Sequence, residues 1–197
     1  MRALRDDGWN LTVVAPDDGG AAALRDEGIV FVRWEVEGRG TNPFAELMSW
    51  WRLFQALARI RPELCLDYTI KPAIYGSLIA PLLGIRAKAF ITGLGYAFLT
   101  SGIRSALARE LYRFALRFSA EVWFLNHDDR QLFLDRGLVL PSKALVLHGE
   151  GVDTKRFAPQ AQRPDDGKIV FLMLSRLLDD KGVREYFGAA ARLRAIF

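Results

Sequence analysis

Short apolar runs alternate with longer stretches of helical periodicity along the whole chain. Residues 1–7 read as the end of an amphipathic helix closed by Gly8, and 10–16 as a buried strand stopped by Pro16. A short helix over 21–27 is closed by Gly28, and a second strand covers 29–32. Residues 44–60 form a strongly apolar helix carrying Trp50, Trp51 and Phe54, a tryptophan pair read as core packing; Arg61-Pro62 ends it. The next central strand is 64–68. A helix over 73–83 should be kinked or shortened by Pro81, and a turn and strand occupy 84–91. An amphipathic helix follows at 104–118, with Leu107, Leu111, Phe114, Ala115 and Phe118 on one side, then a strand at 121–126, a helix through Phe133 and a strand at 143–147. After a polar, proline-containing linker at 160–167, an apolar run ending in Ser175-Arg176 reads as a strand, 179–180 as an acidic turn, and Lys181-Gly182 as the start of a last amphipathic helix.

Such alternation predicts an α/β fold, a Rossmann-like parallel sheet with helices on both faces. The predicted division is a first domain over 1–159, a linker over 160–167 and the first strand and helix of a second Rossmann-like domain over 168–197. A sheet of this kind normally opens with a strand, whereas this one opens inside a helix. A lone strand and helix at the other end cannot bury both their faces. The expectation is therefore a fragment cut at both ends and inactive by itself.

Composition narrows the classes. The chain has 197 residues, 51% of them apolar, which excludes a disordered polar chain. No apolar run reaches the ~20 residues that cross a bilayer, and residues 1–8 lack the apolar core of a signal peptide. A cytoplasmic place is expected, with peripheral attachment to the inner face of the cytoplasmic membrane as an option. The single Cys65 excludes an internal disulfide and reads as a small buried hydrophobe. Two histidines and no clustered cysteines give no recognisable metal site. A net charge of +4 admits an anionic partner, among which nucleic acid ranks last because no zinc-finger spacing or RNA-recognition signature is present.

Three stretches carry candidate chemistry. Arg176 and Lys181 stand about one turn of loop apart beside a helix start, where free N–H groups and a positive dipole end suit a diphosphate; the alternative is two solvated charges pairing with Asp179 and Asp180. Lys71 follows the carboxyl end of a central strand, the edge where open α/β sheets bind ligands, and either meets an anion there or is merely solvated. The loop Thr92-Gly93-Leu94-Gly95-Tyr96 lies at the end of the next strand, where its glycines allow close backbone approach. Arg104, Arg109, Arg113 and Arg117 make 104–118 a basic amphipathic helix, which either lies on anionic lipid or packs on the core with a solvated face. Asn126 or Asp128 is expected to cap the helix that follows, and His127 beside two carboxylates hints at acid–base work.

The motif Arg176-Leu177-Leu178, with Lys181-Gly182-Val183-Arg184-Glu185-Tyr186 and 189–192, resembles the opening of the second domain in retaining glycosyltransferases of family 4, which have the GT-B fold. Tyr68-Thr69-Ile70-Lys71-Pro72-Ala73-Ile74-Tyr75-Gly76-Ser77 is similar to a mark of the bacterial branch that builds O-antigen, capsule and other surface polysaccharides. His148-Gly149-Glu150-Gly151-Val152-Asp153, followed by Phe157 and Pro159, resembles the family's inter-domain element. The resemblance spans nearly the whole chain. It implies transfer of a hexose or N-acetylhexosamine from a nucleotide-diphosphate sugar to a polyprenyl-diphosphate-linked saccharide, with no cofactor and no metal. It assigns the donor diphosphate to Arg176 and Lys181, the acceptor to Lys71, Thr92, Gly93, Gly95 and Tyr96, and the inter-domain cleft to Gly149, Glu150, Gly151 and Asp153. It also implies that the missing first strand carries a glycine-rich loop, and that the segment around His127 is a structural turn. Two departures stand out: Glu150 occupies a position commonly held by Ser, and the Thr92 loop lacks the histidine of many members, so no catalytic residue is nominated. The alternatives are a nucleotide-sugar epimerase of similar fold and a non-catalytic acceptor-binding module.

Overall fold

A computed structural model of the chain describes residues 1–36, 42–94, 102–159, 167 and 169–196, without the side chains of 104 and 180. It divides into two compact units, Met1–Gly151 and Val152–Phe197. The first opens with α1 (Arg2–Asp6), β1 (Thr12–Ala15), α2 (Ala21–Asp26) and β2 (Val30–Arg33). Then come α3 (Pro43–Ile60), β3 (Leu64–Tyr68), α4 (Ile70–Leu82), β4 (Arg86–Ile91) and α5 (Ile103–Ala115). It closes with β5 (Glu121–Phe124), α6 (His127–Asp135), a 3-10 turn at Pro141–Lys143 and β6 (Ala144–Val146).

Every strand pairing is parallel, as the alternation predicted. The pairing nevertheless forms two sheets, β1-β2 and β3-β4-β5-β6, rather than one. Among the described residues no strand bonds to both β1 and β3, so the two ladders share a core without sharing hydrogen bonds.

Local chemistry explains the elements. The Asn42 side chain accepts a hydrogen bond from the Phe44 amide (3.1 Å), Pro43 fills the first helical position, and Arg61 stops α3 in the left-handed region at φ 47°. Leu53 and Leu57 turn inward from α3 onto Trp34, Cys65, Ile79 and Ala80. Of the tryptophan pair, only Trp50 packs against this core; Trp51 stacks on Phe54 and stays half exposed, because it lies on the outer side of the helix. In α4, Pro81 sits in the last turn, and amides from Leu83 and Ile85 both return to the Ala80 carbonyl to close the end. The proline thus shortens the helix to Leu82 without breaking its interior.

A second core forms where α4, α5 and α6 cover the four-stranded sheet. Ala89 and Ile91 of β4 and Val122 and Phe124 of β5 meet Ala73 and Ile74, Tyr112 and Ala115, and Phe133. The face that α5 turns inward is Ser105, Tyr112, Ala115 and Leu116. Of the apolar side expected to be buried, only Ala115 is; Leu107, Leu111, Phe114 and Phe118 point outward. Tyr112 and Leu116 fill the space against the sheet and Ser105 and Ala115 fit beside them, so this face is the one covered.

The second unit contains a 3-10 turn (Asp179–Lys181) and α7 (Val183–Ile196). The predicted apolar strand before Ser175 forms no ladder. A strand exists only through its neighbour, and this unit has no other among the described residues. The Tyr186 hydroxyl instead donates to the Phe171 carbonyl at 2.8 Å. The linker residues 160–166 lie outside the described residues.

One contact sets how closely α4 lies on β3. Were Gly76 to carry a Cβ, it would stand 2.2 Å from the carboxyl carbon and both oxygens of Asp67. Gly76→Ala is therefore expected to lower stability by about 1–3 kcal/mol, read from urea midpoints. Combining it with Asp67→Ser should recover part of that loss. Simple additivity of the two changes would show that the helix seats itself by other means.

Candidate functional site

Because β3 to β6 run parallel, their carboxyl ends gather at one edge, the usual ligand edge of an open α/β sheet. β3 leads there into an elbow. Thr69 adopts φ 72°, ψ 176°, a strained conformation for a β-branched residue, and α4 starts immediately after it. Its amide donates to the Phe90 carbonyl (3.3 Å), and its own carbonyl accepts from Ala73 (3.0 Å). The elbow places Lys71 in the first turn of α4.

Lys71 is not the solvated cation that one sequence reading allowed. Its Nζ donates to Oε1 of Glu46 at 2.5 Å, with both side chains about four-fifths covered, and the Tyr75 hydroxyl donates to the other Glu46 oxygen. Burial first, and then this carboxylate, push the Tyr75 hydroxyl above its ordinary range. Glu46 escaped the sequence reading because the contact is tertiary. Its one legible signal was a lone carboxylate in the apolar helix Pro43–Ile60.

The other predicted residues distribute unevenly. Thr92 and Gly93 are exposed just past β4, with Gly93 at φ 152°, whereas Gly95 and Tyr96 lie outside the described residues. Gly149 and Gly151 take φ 82° and 79° after β6, left-handed conformations that glycine adopts without strain. Glu150 between them is exposed, and its charge reaches Tyr68, whose hydroxyl is pushed up by burial and then by Glu150. A negative charge thus stands at this edge. Asp153 belongs to the second unit. The cap expected at α6 is Asn126, whose oxygen accepts from the Asp129 amide at 2.7 Å. The chain's only two histidines, His127 and His148, meet at the edge with ring centroids 6.1 Å apart.

Within the second unit, Arg176 lies before the 3-10 turn and Lys181 is its last residue, and both are exposed. Asp179 accepts from Arg184 at 2.8 Å. Gly182, at φ 71°, accepts the Tyr186 amide with its carbonyl and begins α7, so Lys181 precedes the helix by two residues.

Two further features went unread in the sequence. Tyr68, Phe90 and Trp123 stack in register across β3, β4 and β5, with centroids 4.4 and 5.8 Å apart, and Glu121 beside them accepts from Lys88 (2.9 Å) and Trp123 (2.7 Å). These two hydrogen bonds, Lys88 first, hold the Glu121 carboxyl below its ordinary range. An open depression of about 460 Å³ lies past the ends of β1 and β2, between Asp17, Arg33, Glu35 and Arg52. There both arginines already pair with Glu35. Among the described residues no group of three or more His, Cys, Asp or Glu is placed to hold a metal ion.

Residues 1–150 match the family described as a glycosyl transferase 4-like domain. The chain belongs to this glycosyltransferase family. The expected resemblance is thereby met over the first unit. The chain is also 26% identical over 210 residues to a Campylobacter jejuni protein named N,N'-diacetylbacillosaminyl-diphospho-undecaprenol alpha-1,3-N-acetylgalactosaminyltransferase, with 98% of this chain and 56% of that protein covered. A solved glycosyltransferase from Rickettsia africae shares the fold, with a TM-score of 0.59 at 15% identity over 83% of this chain and 41% of that one. The chain spans about half the length of these two relatives.

Beneath the elbow of this glycosyltransferase domain, the Oδ2 of Asp67 and the Oγ of Ser77 are buried without a hydrogen-bond partner among the described residues. Burial pushes the Asp67 carboxyl up to about 8. The nearby Cys65 thiol is pushed up to about 12 by burial and then by Asp67. An unfolded aspartate loses its proton near ~4. Between these values the native state holds the extra proton, so stability falls as pH rises. Asp67→Asn preserves the shape and removes the titration. Urea midpoints measured from pH 5 to 8 should drop in the wild type and stay flatter in the variant; parallel profiles would mean that Asp67 is already ionised in the native state.

Proposed function

We propose that this chain is the acceptor-side part of a retaining glycosyltransferase, together with the first donor contacts of its second domain. The parent enzyme moves a hexose or N-acetylhexosamine from a nucleotide-diphosphate sugar onto a polyprenyl-diphosphate-linked saccharide in surface-polysaccharide synthesis. The observation that carries the reading is the family match over the whole first unit. The name of the Campylobacter relative, a transferase acting on an undecaprenol-diphosphate sugar, supports the acceptor class.

In this reading Lys71 and the Thr92–Gly93 segment hold the acceptor, Lys71 through its diphosphate, and Gly95 and Tyr96 continue that loop. Arg176 and Lys181 receive the donor diphosphate. The anomeric carbon–oxygen bond to that diphosphate breaks and the electron pair leaves with the nucleotide diphosphate. The acceptor hydroxyl forms the new bond and its proton leaves with the nucleotide product. Cations on the departing group stabilise charge where it develops. The acceptor anion has to compete with Glu46 for Lys71, which tempers affinity and lets product go. Gly149, Glu150, Gly151 and Asp153 are proposed to mark the hinge region between domains. The enzyme works at the cytoplasmic face of the membrane, where a lipid-linked acceptor is reached from water.

The test is calorimetric titration of the chain with a water-soluble, short-prenyl diphosphate-linked saccharide. Lys71→Ala should weaken binding by about 10-fold or more, the loss of one charge-assisted hydrogen bond. Glu46→Gln removes the competing carboxylate and should tighten it. Absence of binding at millimolar ligand, or equal affinity in Lys71→Ala, would overturn the acceptor role. Binding by a longer chain that includes a full second domain, with no nucleotide diphosphate released from any sugar nucleotide, would favour a non-catalytic binding module.

A further inference from the structure

We propose that His127 and His148 together form a binding site for a divalent transition-metal ion, copper(II) and nickel(II) before zinc, at the carboxyl edge of the four-stranded sheet. The two rings stand 6.1 Å apart at an interplanar angle of 53°, tilted rather than stacked. An ion held by two imidazoles at about 2.1 Å keeps their centroids roughly 4.5–6.4 Å apart, from a cis to a trans arrangement. The pair falls inside that range. Both side chains are exposed, and among the described residues neither ring makes a hydrogen bond. A ring nitrogen of each is therefore available to a ligand.

The backbone holds both members of the pair. His148 follows Leu147, whose amide donates to the Phe124 carbonyl at 2.8 Å, and the Gly149 amide closes back on the Leu147 carbonyl at 2.8 Å. His127 opens α6, which the Asn126 side chain caps through the Asp129 amide at 2.7 Å. The Arg130 Nε donates to the Ala144 carbonyl at 3.0 Å and ties α6 to β6. Two ligands that already stand on fixed backbone lose less freedom when an ion joins them.

Charge and ligand chemistry choose the ion. The N-terminus of α6 is a positive dipole end, which by itself disfavours a cation. Asp128 and Asp129 in its first turn oppose that field, and Glu150 lies exposed two residues beyond His148. Imidazole nitrogen suits copper, nickel and zinc, whereas magnesium and calcium prefer oxygen, and the divalent series sets copper(II) ahead of nickel(II). Among the described residues no third His, Cys, Asp or Glu joins the pair, so water completes the coordination sphere and the site is an open one. Competition within the chain is small. It has no other histidine, and its single Cys65 is buried, with the thiol pushed up to about 12 by burial and then by Asp67. The ion links the exits of β5 and β6 just before Gly149, a role independent of donor and acceptor binding.

The experiment is titration of the tag-free 197-residue chain with nickel(II) chloride and with copper(II) chloride in a non-coordinating buffer. Calorimetry should find one ion per chain, and the copper(II) electron paramagnetic resonance spectrum should show two imidazole nitrogens. His127→Ala and His148→Ala should each weaken binding by about tenfold or more and leave a one-nitrogen spectrum. Both positions are exposed, and circular dichroism checks that the variants fold. Nickel(II) should raise the urea midpoint of the wild type and leave the double variant unmoved, because an ion that binds the native state stabilises it. Acidifying toward about pH 5 should release the ion, as protons compete for the imidazoles. Absence of saturable binding at millimolar nickel(II), or single variants that bind as wild type does, overturns the proposal. Two ions per chain with one-nitrogen spectra would mean that each histidine collects an adventitious ion only, and equally overturns it.

Discussion

Helix α4 can lie flat on β3 only because position 76 carries no side chain, so that the Asp67 carboxyl occupies the space where a Cβ would stand. This close approach fixes the height of α4 above the sheet. Ala73 and Ile74 then reach Ile91, Tyr112 and Phe124 in one core, and Ile79 and Ala80 reach Leu53, Leu57 and Cys65 in the other. The position of α3 on one neighbouring surface and of α5 on another depends on where α4 sits. Lys71, in the first turn of the same helix, inherits its place from that contact and from the strained elbow at Thr69.

The electrostatic consequences follow from the same geometry. A carboxyl buried beneath a helix in an apolar sandwich holds its proton, because ionising it there would leave a charge stripped of water. The interior next to Lys71 therefore adds little negative charge at pH 7. The carboxylate that does meet Lys71 comes from a different element, Glu46 on α3. Charge at this edge is compensated rather than absent, and an arriving anion exchanges with Glu46 instead of finding a bare cation. Glu150 adds a negative charge near Tyr68, so the edge accepts an anion at chosen points and does not attract one everywhere.

Much of this was legible because hydrophobic periodicity reports local burial. Asn42-Pro43 and Arg61-Pro62 bracket α3 by their own stereochemistry, and the apolar run marks β3 as a strand, although its covered face is Cys65 and Asp67 while Leu66 and Tyr68 are exposed, the reverse of what hydrophobicity alone would choose. What periodicity cannot report is which partner a face finds. The apolar run before Ser175 has strand composition but no ladder, since a strand is defined by its neighbour. The 104–118 helix carries apolar residues on two faces, and only packing reveals that Tyr112, Ala115 and Leu116 face inward while Leu107, Leu111, Phe114 and Phe118 face out. Glu46 and Lys71 are 25 residues apart, so their pairing had no local trace. The family was readable for a different reason: its motifs place particular residue types at fixed offsets, and the family match covers residues 1–150, which include the Tyr68–Ser77 segment but not the Arg176–Tyr186 motif.

The outward turn of Leu107, Leu111, Phe114 and Phe118 around α5 is decided by packing. Burying Leu107, Leu111, Phe114 and Phe118 would gain several kcal/mol by area alone. It would also displace Tyr112, Ala115 and Leu116, which already fill the space against the sheet around Phe124. The fold resolves this conflict in favour of the packed face and leaves the apolar stripe on the surface. The place of Lys71, and with it the Glu46–Lys71 pair, then traces back to one helix seated against one carboxyl group.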